Sequence, residues 1–221
     1  MCWGSQLSVH WSVGSLECLK ADPRTLTLFS PMQVHPLLIA IAIYASVLSG
    51  RQSLPTPLLG HILSLALPIL TVLGLLLPRI SPSVIVVKRP FVTRQQLQAS
   101  LLGFLALLDS ALVTLASTLL QPELQSCSLD RQWQLLFRSR NVHAIKAIQD
   151  TLNCCGFKTT LDRPWPWPDN RSSATCRDDF GRDRSCRAGW AGREVRILTI
   201  WIVVGVGGLI VKVCLGGRNQ L

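Results

Sequence analysis

The cysteines are the residues whose type and spacing could do chemistry. Cys154 and Cys155 are adjacent and followed by Gly156, and Cys176 and Cys186 come later in the same segment. Such thiols can ligate a metal or cross-link the chain. Zinc fits poorly, because adjacent cysteines are not a usual chelate and no histidine pair follows. A vicinal bond also fits poorly. Disulfides hold Cα atoms typically ~5.5–6 Å apart, and neighbouring residues are only ~3.8 Å apart. Each of the two therefore needs a distant partner, and two connectivities to Cys176 and Cys186 remain. Either closes loops of about 20 to 32 residues, worth roughly 3 kcal/mol each in the chain-entropy model. Gly156 suits a turn or a close backbone approach that a Cβ would block.

Other reactive groups are dispersed. His10, His35, His61 and His143 lie in different regions, and no Ser/His/Asp set, metal cluster or phosphate-cradling glycine loop is visible. The expectation is a protein that binds rather than catalyses, with no metal or catalytic cofactor. A net charge of +10 raises nucleic acid as a partner. Most of the excess, however, sits in loops beside apolar runs, where it reads as membrane orientation or attraction to anionic headgroups. Nucleic acid is therefore not an expected partner.

The elements that must position the cysteines are membrane-length. The 221 residues are 48% hydrophobic and 15% charged, and the apolar residues collect in four blocks. Leu58–Leu77 has no formal charge, Leu97–Leu120 has only Asp109, and Val195–Leu215 has Arg196 and Lys212 near its ends. Each is long enough to cross ~30 Å of hydrocarbon at ~1.5 Å per residue. The first block is weaker: Leu37–Ser49 is too short alone, and extension to Leu28 takes in Pro31, His35 and Pro36. A kinked span over 28–49 is expected, the alternative being an interfacial segment.

Orientation follows from the short loops. Pro78–Gln96 holds Arg79, Lys88, Arg89 and Arg94 without an acid, which places it in the cytoplasm. The expected order is then a cytoplasmic segment 1–27, a first span 28–49, a short outer loop 50–57 and a second span 58–77. A basic cytoplasmic loop 78–96, a third span 97–120, a large outer loop 121–194, a fourth span 195–215 and a cytoplasmic tail 216–221 complete it. Five cysteines in the large loop imply an oxidising compartment, in agreement with the charges.

Within that loop, Trp133, Phe137, Val142, Ile145, Ile148 and Leu152 form a stripe of helical period, across two helices that break near Ser139–Asn141. Asn141 is placed to cap the second. Asp162-Arg-Pro-Trp165-Pro-Trp167-Pro168 alternates tryptophan with stiffening proline. Trp165 and Trp167 are candidate partner-binding residues, or else cover the small domain's core. Asn170-Arg171-Ser172 is an N-glycosylation sequon.

Four apolar spans, a short and a long outer loop, and Cys-Cys-Gly after an amphipathic helix resemble a tetraspanin, over most of 37–215. Cys127-Ser-Leu-Asp-Arg-Gln-Trp133, Ile148-Gln149 and Asp162-Arg-Pro-Trp-Pro166 look most like tetraspanin-type proteins of filamentous fungi. The resemblance implies an all-α membrane protein. Its four-helix transmembrane bundle would carry a disulfide-stapled, mainly helical large extracellular loop. It implies the pairs Cys154–Cys186 and Cys155–Cys176, and a scaffold that organises partner membrane proteins laterally, with homo-oligomers and membrane lipids as further partners. A sterol or lipid in the bundle is the only small molecule it allows. The plasma membrane or an endomembrane is the expected location. The chain departs from the family pattern at Ser173-Ala174-Thr175-Cys176, which lacks the usual Pro-x-Ser before cysteine, and in Cys127, a fifth loop cysteine.

Inside the spans, Asp109 is the only acid, and it is expected to be neutral and hydrogen-bonded between helices, with no cation at its depth because Lys212 lies near the inner end. The alternative function is a small four-span channel or transporter using Asp109. A claudin-like junction protein is disfavoured, because that family pairs its cysteines in the first outer loop. Small residues at Ala42, Ser46 and Gly50, at Ala106, Ser110, Thr114 and Thr118, and at Gly205, Gly207 and Gly208 are spaced for helix contacts. Cys214, juxtamembrane among glycines, is a candidate for palmitoylation.

Overall fold

The computed structural model describes residues 31–80, 94–167 and 175–218. Seven helices account for the described elements, and no strand occurs among the described residues. They are α1 (Pro31–Arg51), α2 (Leu58–Ile80), α3 (Arg94–Leu119), α4 (Pro122–Arg138), α5 (Val142–Leu152), α6 (Thr175–Phe180) and α7 (Cys186–Arg218). Four of them are long and apolar enough to cross a membrane, with spans Gln33–Arg51, Leu58–Leu76, Gln96–Leu119 and Cys186–Cys214. The chain is therefore a multi-pass membrane protein by length and composition. The expected N-terminal segment and Asn170 lie outside the described residues.

The first block forms a helix that contains Pro36. The proline lies inside the helix, past the first turn, where it removes one bond to residue i−4, an interruption that membrane helices tolerate. The helix that carries the fourth apolar block begins at Cys186, well before Val195. Cys186, Trp190, Glu194, Ile197, Leu198, Trp201 and Val204 are all buried along α7. That helical stripe runs unbroken through Arg187, Gly189, Gly192 and Arg193, so the charges that interrupt the hydropathy do not interrupt the helix.

The residues divide into two compact units. One comprises Ala45–Pro57 with Ser117–Thr199; the other comprises Leu58–Ala116, Ile200–Leu221 and the described part of Ser5–Tyr44. In the second unit, Leu38, Ala42 and Val204 form a core on which Val34, Ile41, Leu65 and Ile200 pack. Its outer faces are apolar too: Leu58, Leu59, Phe104 and Leu107 are all exposed. A helix apolar on both its packed and its open face suits a lipid solvent rather than water.

Glycines set the approach of α7 to its neighbours in this unit. A Cβ on Gly205 would lie 2.6 Å from Val113 Cγ2, and one on Gly207 would lie 3.2 Å from Leu38 Cδ2. A Cβ on Gly60 of α2 would collide with the Trp201 ring. The expected small-residue stripe of α3 does not serve this purpose. Leu102, Leu105, Asp109, Leu112, Val113 and Ala116 are buried, whereas Ser110 and Thr114 face outward. Their hydroxyls donate to the carbonyls of Ala106 and Ser110, one turn back. Gly50 of α1 likewise faces open space.

Candidate functional site

The first unit is built on α4 and α5. Pro122 opens α4 at a position where a missing N–H costs nothing. The chain turns at Ser139–Asn141, with Arg140 in the left-handed region at φ 51°. Asn141 then caps α5: its Oδ1 accepts from Ala144 N at 3.1 Å. The apolar stripe is buried at Leu129, Trp133, Leu136, Ile145 and Ile148.

The centre is aromatic. Trp133 stacks on Phe157 with centroids 5.5 Å apart, and Trp190 of α7 meets both rings edge-on, at 5.8 and 6.2 Å. The Trp190 indole N–H donates to the carbonyl of Gln52 at 3.1 Å. All three rings are fully buried. Edge-to-face and offset pairs of this kind add about 0.5–1.5 kcal/mol each beyond their area.

Asn153 ends α5 in the left-handed region (φ 49°, ψ 54°), which asparagine tolerates. The turn sends the two cysteines to different partners. Cys154 bonds Cys186, and Cys155 bonds Cys176, with Cα–Cα distances of 5.1 and 6.0 Å. These are the pairs that the resemblance implies. Backbone bonds fix the same junction: Cys155 N donates to Arg184 O at 2.8 Å, and Cys186 N to Gly156 O at 3.0 Å. Cys127 does not displace either pair, although it too is disulfide-bonded. Cys214 is also disulfide-bonded.

Gly156 sits at φ +62°, and a Cβ there would collide with Thr159 O and approach Asp162 O to 2.9 Å. It begins a tight turn closed by Phe157 N donating to Asp162 O at 2.9 Å. Gln149, buried on α5, spans this turn: with its amide oriented to satisfy both neighbours, it donates to Trp165 O and accepts from Gly156 N, each at 3.1 Å. The Asp162 carboxylate accepts from Lys158 N and from Arg163. Arg163 also reaches Asp130 of α4 at 2.9 Å. Neither Gln149 nor Asp130 stands out as a site residue in the sequence; a polar residue on the apolar stripe was the available signal for Gln149.

The Arg163 guanidinium, hydrogen-bonded to Asp162, holds that carboxyl below the usual carboxylate range. A depressed folded pKa means stability that is present above the unfolded value of ~3.9 and lost as pH falls through the folded value. Asp162→Asn should therefore flatten the pH dependence of the unfolding midpoint below about pH 4 relative to wild type. Parallel acid profiles for the two proteins would rule out this linkage.

No protein-family model, no curated protein and no solved structure matches this chain.

Trp165 and Trp167 are half-buried and face different neighbours. Trp165 stacks on Phe180 of α6 at 6.1 Å, with Lys146 Nζ 5.1 Å from its ring centre. Trp167 meets Phe137 edge-on at 4.8 Å and carries Arg140 at 5.5 Å. The rings cover the core edge with one face and keep part of their area open. The arrangement offers aromatic surface rimmed by cations. Among the described residues no group of three or more metal-ligating side chains converges.

The second unit brings together one pair that the sequence reading separates. Lys212 Nζ lies 2.5 Å from Asp109 Oδ2, and both side chains are buried. Asp109 thus has a cation at its depth. Side chains on a helix lean toward its N-terminus, so Lys212 reaches back over the preceding turn. Gly208, one turn earlier, leaves the room: its Cβ would lie 3.0 Å from Asp109 Oδ2.

Proposed function

We propose that this chain is a tetraspanin-like integral membrane scaffold that organises partner membrane proteins laterally by binding, not by chemistry. The observation that carries the reading is the junction at Cys154-Cys155-Gly156. The bridge to Cys176 staples a compact aromatic-cored head, and the bridge to Cys186 ties that head to the start of the last of four membrane-length helices. Disulfides persist in oxidising compartments, which supports an extracellular or lumenal head and agrees with the basic segment 78–96 in the cytoplasm. The plasma membrane or an endomembrane both meet that condition.

In this reading the half-open Trp165 and Trp167 are contact anchors, since tryptophan and nearby arginine are enriched where interfaces concentrate their energy. Lipids pack on the exposed apolar helix faces, and a second copy of the chain is one of the lateral partners. The ion pair at Asp109 neutralises the acid on which the transporter alternative depends, so scaffolding is the better-supported reading.

Co-purification in a mild detergent tests it, comparing wild type, Cys155→Ser and Trp165→Ala/Trp167→Ala. Membrane proteins should accompany the wild type and be lost, or reduced about tenfold, with both variants. A wild type that brings down no stable partner would sink the proposal. Metal or proton flux through wild-type vesicles would instead favour transport.

A further inference from the structure

Asp109 is the only acid among the described residues of its unit, and the only formal charge between Gln96 and Leu119. Lys212 is the only formal charge between Ile197 and Cys214. Either charge alone in hydrocarbon is costly. A lysine near the end of a span has a default escape, which is to extend to the interface and keep its ammonium in water. Lys212 does the opposite: it turns inward to Asp109 and is only 4% exposed, with the carboxylate at 1%. The contact is supported by two glycines of α7. Gly208 clears space beside the carboxylate, and Gly205 brings α7 close to Asp109 O and Val113. His35 of α1 lies within Coulombic reach of the same carboxylate.

We propose that Asp109 and Lys212 form an intramembrane charge clasp that makes α3 and α7 an obligate pair. The apolar stretches Gln96–Leu119 and Ile197–Cys214 each carry one charge, and the two charges meet as a direct ion pair, so either helix is stable in the membrane only when both are docked. The clasp also sets register, since a one-turn slip would carry Lys212 away from Asp109 by ~5.4 Å. It rests on the buried geometry and the membrane-length helices, and it holds whether or not the protein is a scaffold.

The test is a double-mutant cycle on the full chain in lipid nanodiscs, read as the midpoint of thermal unfolding. Asp109→Asn and Lys212→Met should each lower the midpoint by roughly 10 °C, because each leaves one buried group without its counter-charge. Asp109→Asn/Lys212→Met, which removes both charges, should return to within about 3 °C of wild type. The exchanged pair Asp109→Lys/Lys212→Asp should recover part of the loss. Additive losses in the double variant, or an Asp109→Asn midpoint equal to wild type because Lys212 simply reaches water, would overturn the clasp. If a single variant fails to accumulate, recovery of the protein level in the double-neutral variant supports the proposal, and failure of both refutes it.

Discussion

Cys154→Ser/Cys186→Ser should lower the stability of the head by about 3–4 kcal/mol, the chain-entropy value for a bridge between residues 32 apart. Removing both cysteines avoids a stray thiol that could exchange with the Cys155–Cys176 bridge. The loss is large against a typical domain stability of about 5–15 kcal/mol. The inner bridge, spanning 21 residues, remains. It holds Cys155 to α6, but nothing covalent then joins the end of α5 to the start of α7. What stays is the backbone pair from Cys155 N to Arg184 O and from Cys186 N to Gly156 O. It would have to hold Trp190 against Trp133 and Phe157 without the cross-link. Near-UV circular dichroism reports those buried indoles, and the midpoint it follows should fall by roughly 10 °C. A midpoint equal to that of wild type would show that the aromatic core, not the bridge, holds α7 to the head.

The parts of this head legible in the sequence are those whose signal is local. Asn141 caps α5 because an asparagine before an amphipathic run can accept from the first free N–H groups, and both features lie within a few residues. Gly156 is legible for the same reason. The four spans are legible because hydrocarbon demands a length of apolar chain that little else requires. What was hidden depends on side-chain direction or on partners distant in sequence. Lys212 looks like an end-of-helix residue until its lean toward Gly208 is included. α7 begins at Cys186 because one buried face persists through charged positions, a periodicity that a search for unbroken hydropathy discards. Ser110 and Thr114 have contact spacing, yet the buried face of α3 is set by Leu105, Asp109, Leu112 and Ala116. The Asp130–Arg163 link joins α4 to a turn whose geometry, with Arg163 at φ 52°, no local pattern announces.

These two kinds of information meet at Gln149. A polar residue on a buried stripe is expensive unless its hydrogen bonds are made. Here both are made to backbone, at Gly156 N and Trp165 O. The amide therefore couples the tight turn after the cysteines to the strand of chain that carries the tryptophans. The stapled junction and the candidate contact surface are thus one structure: a change at the turn is transmitted to Trp165 through α5.

Gly156→Ala is accordingly expected to harm both stability and binding. The φ of +62° costs an L-residue about 1 kcal/mol. The larger part is steric, because the new Cβ meets three carbonyl oxygens, those of Thr159, Thr160 and Asp162. Backbone atoms cannot rotate away as a side chain tip can, so the turn must open. Opening it breaks the bond from Phe157 N to Asp162 O and shifts the Gly156 N–H that Gln149 accepts. A combined loss of about 2–4 kcal/mol is expected from strain and overpacking together. The companion variant Gln149→Leu separates the two effects. It keeps the turn but leaves Gly156 N and Trp165 O without their side-chain partner, at about 1–3 kcal/mol. Both variants should weaken partner capture, whereas only Gly156→Ala should raise the protease sensitivity of the Thr159–Asp162 turn. Equal stability of Gly156→Ala and wild type would mean that this turn relaxes freely. The coupling from the cysteine junction to Trp165 would then be absent.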